Sequence, residues 1–202
     1  MLKADAQTTK QLIVRAAFAT LREEGFAGAS ARAIARRGGF NQALVFYHFG
    51  SVQNLLLAAL DDSSRQRLTR YEAAVDGATS VAELIEAARD LHSEDRESGH
   101  ITVLSEMISG SVGNPELGRE IVPRMEPWLD LVESAIQRSL TGSPLAGMFP
   151  SRDLAFAVVA LYLGIDLLAQ LDGDRSREDR LFELGSAFAP SVIATALEVG
   201  RE

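Results

Sequence analysis

The chain has 202 residues, 47% of them apolar and 24% charged. That is the composition of a folded globular protein and excludes disorder, collagen and disulfide scaffolds; with no cysteine in the sequence, disulfides, thiolate zinc sites and cysteine nucleophiles are excluded as well. The formal charge of −8 is unevenly spread, +4 over residues 1–50 and −12 over residues 51–202, a pattern in which the basic end meets a polyanion and the acidic remainder is held away from it.

The first segment, MLKADAQTTK, has no apolar h-region, so no secretory leader is expected. Thr9–Glu24 reads as a helix with Ile13, Ala16, Ala17, Thr20 and Leu21 on its inner face, stopped at Gly25. Ser30 is placed to cap a short helix, Ala31–Arg37, and Gly38-Gly39-Phe40 makes a tight turn. Asn41 is placed to cap a second short helix, Gln42–Phe49, and Ser51 a longer one carrying Leu55, Leu56, Ala59 and Leu60. Helices this short are marginal alone, so Ile34, Phe40, Leu44, Val45 and Phe49 are expected to pack them together.

Helical spacing continues through Val81–Glu97, Ile101–Val112 and Pro115–Thr141, with a kink or break expected at Pro123 and Pro127. A loop over Gly142–Pro150 precedes Arg152–Leu171 and Glu178–Val199, the latter with a bend expected at Pro190. The apolar run Leu154–Leu171 is shorter than the roughly 20 residues of a membrane span and is interrupted by Asp166 and Gln170. It reads as a buried helix, and a cytoplasmic protein with no membrane partner is expected. The chain is predicted all-α, with roughly nine or ten helices.

Two short helices joined by a Gly-bearing turn and preceded by a longer one form the helix-turn-helix plan, whose second helix reads the major groove from its N-terminal residues. Those residues are Asn41, Gln42, Ala43 and Leu44. Asn and Gln pair with adenine edges, and Ala and Leu touch thymine methyls. Tyr47 and His48 lie one turn on, in reach of phosphate, and Arg32, Arg36 and Arg37 sit on the helix that crosses the backbone. An ordinary three-helix packing unit with a solvated polar face has the same spacing; charge and spacing together favour double-stranded DNA.

The stretches IVRAAFATLREEGF, ASARAIARRGGFNQALVFYHF and GSVQNLLLAAL resemble the DNA-binding domain of the TetR family of transcriptional regulators. The resemblance covers residues 10–60. It implies an all-α homodimer with a small N-terminal DNA-binding domain, here 1–50 with a linking helix from 51, and a larger ligand-binding and dimerisation domain, 51–202. It implies that Ser30 and Arg32 open the backbone-contacting helix, Asn41 to Leu44 form the reading end, and Tyr47 and His48 contact phosphate. The sequence departs from the family pattern at Phe46, Ala43 and Val52, where tyrosine, glycine and lysine are frequent; loss of the lysine alone removes about one unit of salt slope per subunit.

In the second domain Leu154, Val158, Leu161, Ile165 and Leu168 repeat as a helix-packing seam, and Leu181, Leu184, Phe188, Val192 and Val199 form a stripe on the last helix. Two such helices from each of two chains make a four-helix dimer interface; burial of both stripes within one chain is the alternative. Met107, Met125, Trp128, Met148, Phe149 and Tyr162 supply adaptable apolar surface for a largely apolar effector, with His100, Glu106, Arg124 and Asp166 as orienting groups. Core packing explains the apolar residues equally well, and a structural hydrogen bond or the edge of a dimer explains Asp166. His92 and His100 are eight residues apart, unlike a helical zinc pair, and no phosphate loop or dinucleotide fingerprint is present. Glu94, Asp95 and Glu97 read as a solvated helix end. No enzyme activity, metal or cofactor is expected. The expected function is a ligand-released repressor acting as a homodimer on palindromic DNA. Its rivals are a small-molecule binding protein with an inactive DNA-binding head and a regulator working mainly through a protein partner.

Overall fold

A computed structural model describes residues 2–141, 150–172 and 176–199, with side chains described for 8–141, 150–169, 171 and 176–188. Among these residues the chain is all-α: α1 (Leu2–Gly28), α2 (Ala31–Gly38), α3 (Ala43–Phe49), α4 (Val52–Gly77), α5 (Val81–Ser98), α6 (His100–Ser111), α7 (Pro115–Leu140), α8 (Ser151–Asp172) and α9 (Ser176–Val199). It divides into two compact units. Unit 1 is Met1–Arg67 with Gly99–Arg124, and unit 2 is Leu68–Ser98 with Met125–Glu202. Helices α4 and α7 each contribute residues to both.

Unit 1 is organised around α1, which packs on α2 and α6. The expected inner face of α1 is realised: Ile13, Ala16, Ala17, Thr20 and Leu21 are all buried, joined by Ile34, Val45, Leu55, Leu56 and Leu60. Thr20 satisfies its hydroxyl by donating to the Ala16 carbonyl at 2.7 Å. Gly25 breaks α1 with φ 70° and ψ 177°, a conformation that favours glycine. The amide freed by the break, that of Phe26, donates to Glu106 Oε2 on α6 at 2.8 Å. Two further polar clamps tie α7 to α4. Asn114 donates to Gln53 Oε1 at 3.1 Å, and Arg124 holds Asp61 with two bonds, of 2.7 and 3.2 Å. Glu106 and Arg124, read from sequence as effector-orienting groups, are thus engaged in structural contacts.

In unit 2, α5 and α8 both pack on α9. Of the kink or break expected in α7, a break is not found: one helix runs through Pro123 and Pro127. The two carbonyls the prolines leave unbonded belong to Arg119 and Pro123, both on the exposed face, where water takes the missing donors. Helix α9 also runs through Pro190. Of the expected loop Gly142–Pro150, all but Pro150 lies outside the described residues, together with Met148 and Phe149. Among the described residues no single helix is long and apolar enough to cross a membrane.

Candidate functional site

The reading end of the helix-turn-helix is built by local rules. Ser30 caps α2 by accepting from the Ala33 amide at 3.2 Å. Gly39 turns the chain in the left-handed region, φ 69° and ψ 32°, and its amide closes on the Ala35 carbonyl, a turn to which a side chain would add strain. Asn41 Oδ1 accepts from the Ala43 amide at 2.9 Å, so α3 starts one residue later than the sequence pattern predicts. Ser51 caps α4 by accepting from Asn54, whose side chain donates to the Phe49 carbonyl at 3.0 Å.

Over the buried Ile34 and Val45, this framework leaves Ser30, Arg32, Arg36, Asn41, Gln42, Ala43 and Tyr47 exposed, with Leu44 and His48 half-buried. Their capacities differ. Asn41 has committed its carbonyl oxygen to the start of α3 and keeps only its amino group, whereas exposed Gln42 makes no cap bond. Only Gln42 therefore retains the paired donor and acceptor that an adenine edge requires. Arg36 lies 3.5 Å from Glu24, and Arg37 lies 2.7 Å from Glu23. The bond from Arg37 holds the Glu23 carboxyl below its usual range. Arg32 is the arginine of α2 without an ion pair among the described residues. Lys10 sits 5.5 Å over the Phe49 ring, fixing the end of α3 against α1.

The five residues read as an effector site fall in both units. His100 and Met107 belong to unit 1 and are buried. His100 Nδ1 shares a 2.7 Å hydrogen bond with Ser63, and burial, aided by Arg67, lowers its pKa to about 3. Trp128, Tyr162 and Asp166 belong to unit 2. There Tyr71 and Tyr162 donate to Asp95 Oδ2 at 2.6 and 3.1 Å, and Trp128 stands edge-on to Tyr71 at 5.2 Å. His92 packs between Tyr162 and Phe182, at 4.7 and 5.6 Å. Asp166 is buried and acts electrostatically on both His92 and Glu178. Burial depresses the His92 pKa, against the pull of Asp166. Burial also raises the Glu178 carboxyl, against the pull of its partner Arg96. A separate recess of about 230 Å³, lined by Val75, Thr79, Leu84, Ala135 and Arg138, lies in the same unit. Among the described residues no group of three His, Asp or Glu side chains is placed to hold a metal.

Asp95 corrects the sequence reading: it is buried, not part of a solvated helix end. The signal was present, because Leu84, Ala88, Leu91 and Asp95 step by four, three and four residues along one helix face. Tyr71, His92 and Glu178 carried no comparable signal.

On α8 and α9 the interface residues divide. Val158, Leu161, Leu168, Leu184 and Phe188 are exposed, the last by 62%, while Leu154 is half-buried and Ile165 is buried by its own chain. The Val192 and Val199 side chains lie outside the described residues.

Residues 13–59, which contain α2, α3 and their turn, match the model of the tetR family of bacterial regulatory proteins. The HTH-type transcriptional regulator UidR of Escherichia coli K12 is 25% identical over 196 residues, 96% of this chain and 97% of that one. The chain thus carries, at residues 13–59, the DNA-binding domain of the tetR family of bacterial regulatory proteins. It is a DNA-binding transcriptional regulator, and its helix-turn-helix is α2–α3. Solved TetR-like structures share the whole fold. Salmonella enterica GusR superposes with a TM-score of 0.73 at 17% identity, covering 95% of this chain and 96% of that one. Bacillus subtilis FadR in complex with stearoyl-CoA superposes with a TM-score of 0.67 at 14% identity, covering 93% and 97%.

Proposed function

We propose that this regulator is a repressor that binds palindromic operator DNA as a homodimer and leaves it when a small molecule enters the C-terminal domain. Residues 1–50 supply the reading head and residues 51–202 the effector and dimerisation functions. The observation that carries the reading is the exposed N-terminal turn of α3, where Gln42 keeps its full hydrogen-bonding edge over a packed Ile34–Val45 floor. Arg32, Ser30, Tyr47 and His48 hold the backbone on either side. The bare apolar face of Val158, Leu161, Leu168, Leu184 and Phe188 is covered by the same face of a second copy, as a two-fold interface requires. Two heads then read half-sites one helical turn, or a multiple of it, apart. The effector acts by binding one spacing of the heads better than the other.

The test is selection of genomic fragments by the purified chain at about 150 mM salt, where non-specific binding is weak. A palindromic site is expected. On that site Gln42→Ala loses about 1–3 kcal/mol at one base pair and relaxes specificity there, whereas Arg32→Ala weakens all sequences alike. Uniform weakening by both variants would refute the reading role of α3. Recovery of no fragment, with or without cell extract, would assign the chain to small-molecule binding without DNA control.

A further inference from the structure

The face that α3 turns outward is narrow and uncharged. Gln42, Ala43, Phe46 and Tyr47 are exposed, while Val45 is buried and Leu44, His48 and Phe49 are half-buried. Gln42 already has helical backbone, φ −55° and ψ −25°, so residues 42, 43, 46 and 47 form one strip along the helix. From Gly38 to Leu60 the sequence holds no Lys, Arg, Asp or Glu. The strip therefore lacks the cations that pair with guanine through two bonds and the carboxylates that accept from cytosine. What it does offer is the Gln42 amide, which fits an adenine edge, and two apolar groups, the Ala43 methyl and the Phe46 ring, which fit a thymine methyl. Phe46 is 52% exposed. Contact between its ring and a methyl in the groove takes apolar surface of both out of water.

We infer that α3 selects A·T pairs and that Phe46 determines part of that specificity by reading a thymine methyl. The inference rests on the proposal that α3 is the reading helix, and it adds the base class and a residue. Phe46 lies four residues beyond Gln42, about 6 Å along the helix axis. That distance is about two base-pair steps at roughly 3.4 Å each. The thymine that Phe46 meets therefore lies within two pairs of the adenine that Gln42 reads. Thymine differs from uracil by this methyl alone, so the contact is tested by removing one carbon from the DNA and none from the protein.

Fragments selected by the full-length chain define the half-site, and the position relaxed in Gln42→Ala marks the pair that Gln42 reads. An A·T pair is expected there, with a thymine within two steps of it. The thymines of the half-site are then replaced one at a time by deoxyuridine, which keeps the base pairing and removes only the C5 methyl. One replacement is expected to weaken binding about threefold to fivefold, the worth of one carbon taken out of water. Phe46→Ala is expected to weaken the thymine site by a similar or larger factor and to bind the thymine and uracil sites equally, the signature of a direct contact in a double-mutant cycle. Phe46→Leu keeps an apolar tip, is expected to retain part of the discrimination, and serves as the second variant should the first not fold. A G·C pair at the Gln42 position, indifference to every deoxyuridine, or a methyl effect that survives in Phe46→Ala overturns the inference and leaves DNA control standing. Recovery of no fragment refutes DNA control itself, and the inference with it.

Discussion

Unit 1 and unit 2 are built to different degrees of completeness. In unit 1 a core set of apolar residues closes on itself: Ile13, Ala17, Leu21, Ile34, Val45 and Leu55 have no exposed surface at all. Its buried Thr20 and His100 and its half-buried Glu106 have partners within unit 1. In unit 2 large apolar side chains of α8 and α9 face outward, and His92 Nε2 and Glu178 Oε1 are buried and meet no hydrogen-bond partner among the described residues. A protein core closed by its own chain gives a rigid reading head. A body left open outside and unsatisfied inside is suited to take a second copy and a small molecule.

The largest effect is expected where unit 2 is open. Replacing Leu161 and Leu168 by arginine puts two charges on the outward face of α8 while leaving its helix intact. Sedimentation is expected to show a monomer of unchanged helical content, and affinity for a two-half-site operator is expected to fall by on the order of a hundredfold, because the second head no longer binds as a tethered partner. A dimer that persists would break the comparison.

A smaller effect is expected in the closed unit. Leu56→Ala removes a side chain 1% exposed and should cost about 3 kcal/mol in denaturant unfolding, from lost burial plus the cavity left behind. Oligomeric state should be unchanged when stability is compared at equal protein concentration.

The smallest effect concerns pH. The folded-state pKa of His100 lies at about 3, below its ordinary 6.5. The unfolded chain therefore takes up a proton that the folded chain refuses. The stability from neutral His100 is complete above pH 6.5 and is lost as pH falls from 6.5 toward 3, by roughly 1 kcal/mol over the first pH unit. His92, whose pKa is also lowered, acts in the same direction. His100→Gln, which retains a partner for Ser63, should flatten the decline measured by urea unfolding between these limits; an unchanged slope would place the titration elsewhere.

Much of this organisation is legible in the sequence, because its signals are local. The inner stripe of α1, the Ser30 cap, the glycine turn and the caps at Asn41 and Ser51 are set by spacing within a few residues. The same holds for the exposure of Gln42 and Tyr47, since their neighbours Val45 and Ile34 take the inward positions. What escaped depends on residues far apart in the chain. Arg36 and Arg37 meet Glu24 and Glu23 across two helices, α6 joins the unit of α1, and Tyr71 reaches Asp95 twenty-four residues on. Ile165 illustrates the limit within a single helix: the seam spacing identifies an apolar row but not which members their own chain buries. The prolines of α7 failed as breakers because the carbonyls they orphan lie on the wet side of the helix.

The break at Gly25 has a consequence for how the molecule is made. The last turn of α1 is held by a carboxylate eighty residues downstream, Glu106 accepting from the Phe26 amide. On the ribosome, residues 13–59 emerge well before that carboxylate exists, so the nascent reading head waits with an unanchored helix end until α6 follows it out. A gene truncated after α4 would encode every base-facing residue and still leave this end loose. The recognition element is thus contiguous in the message but finished by a later passage of it.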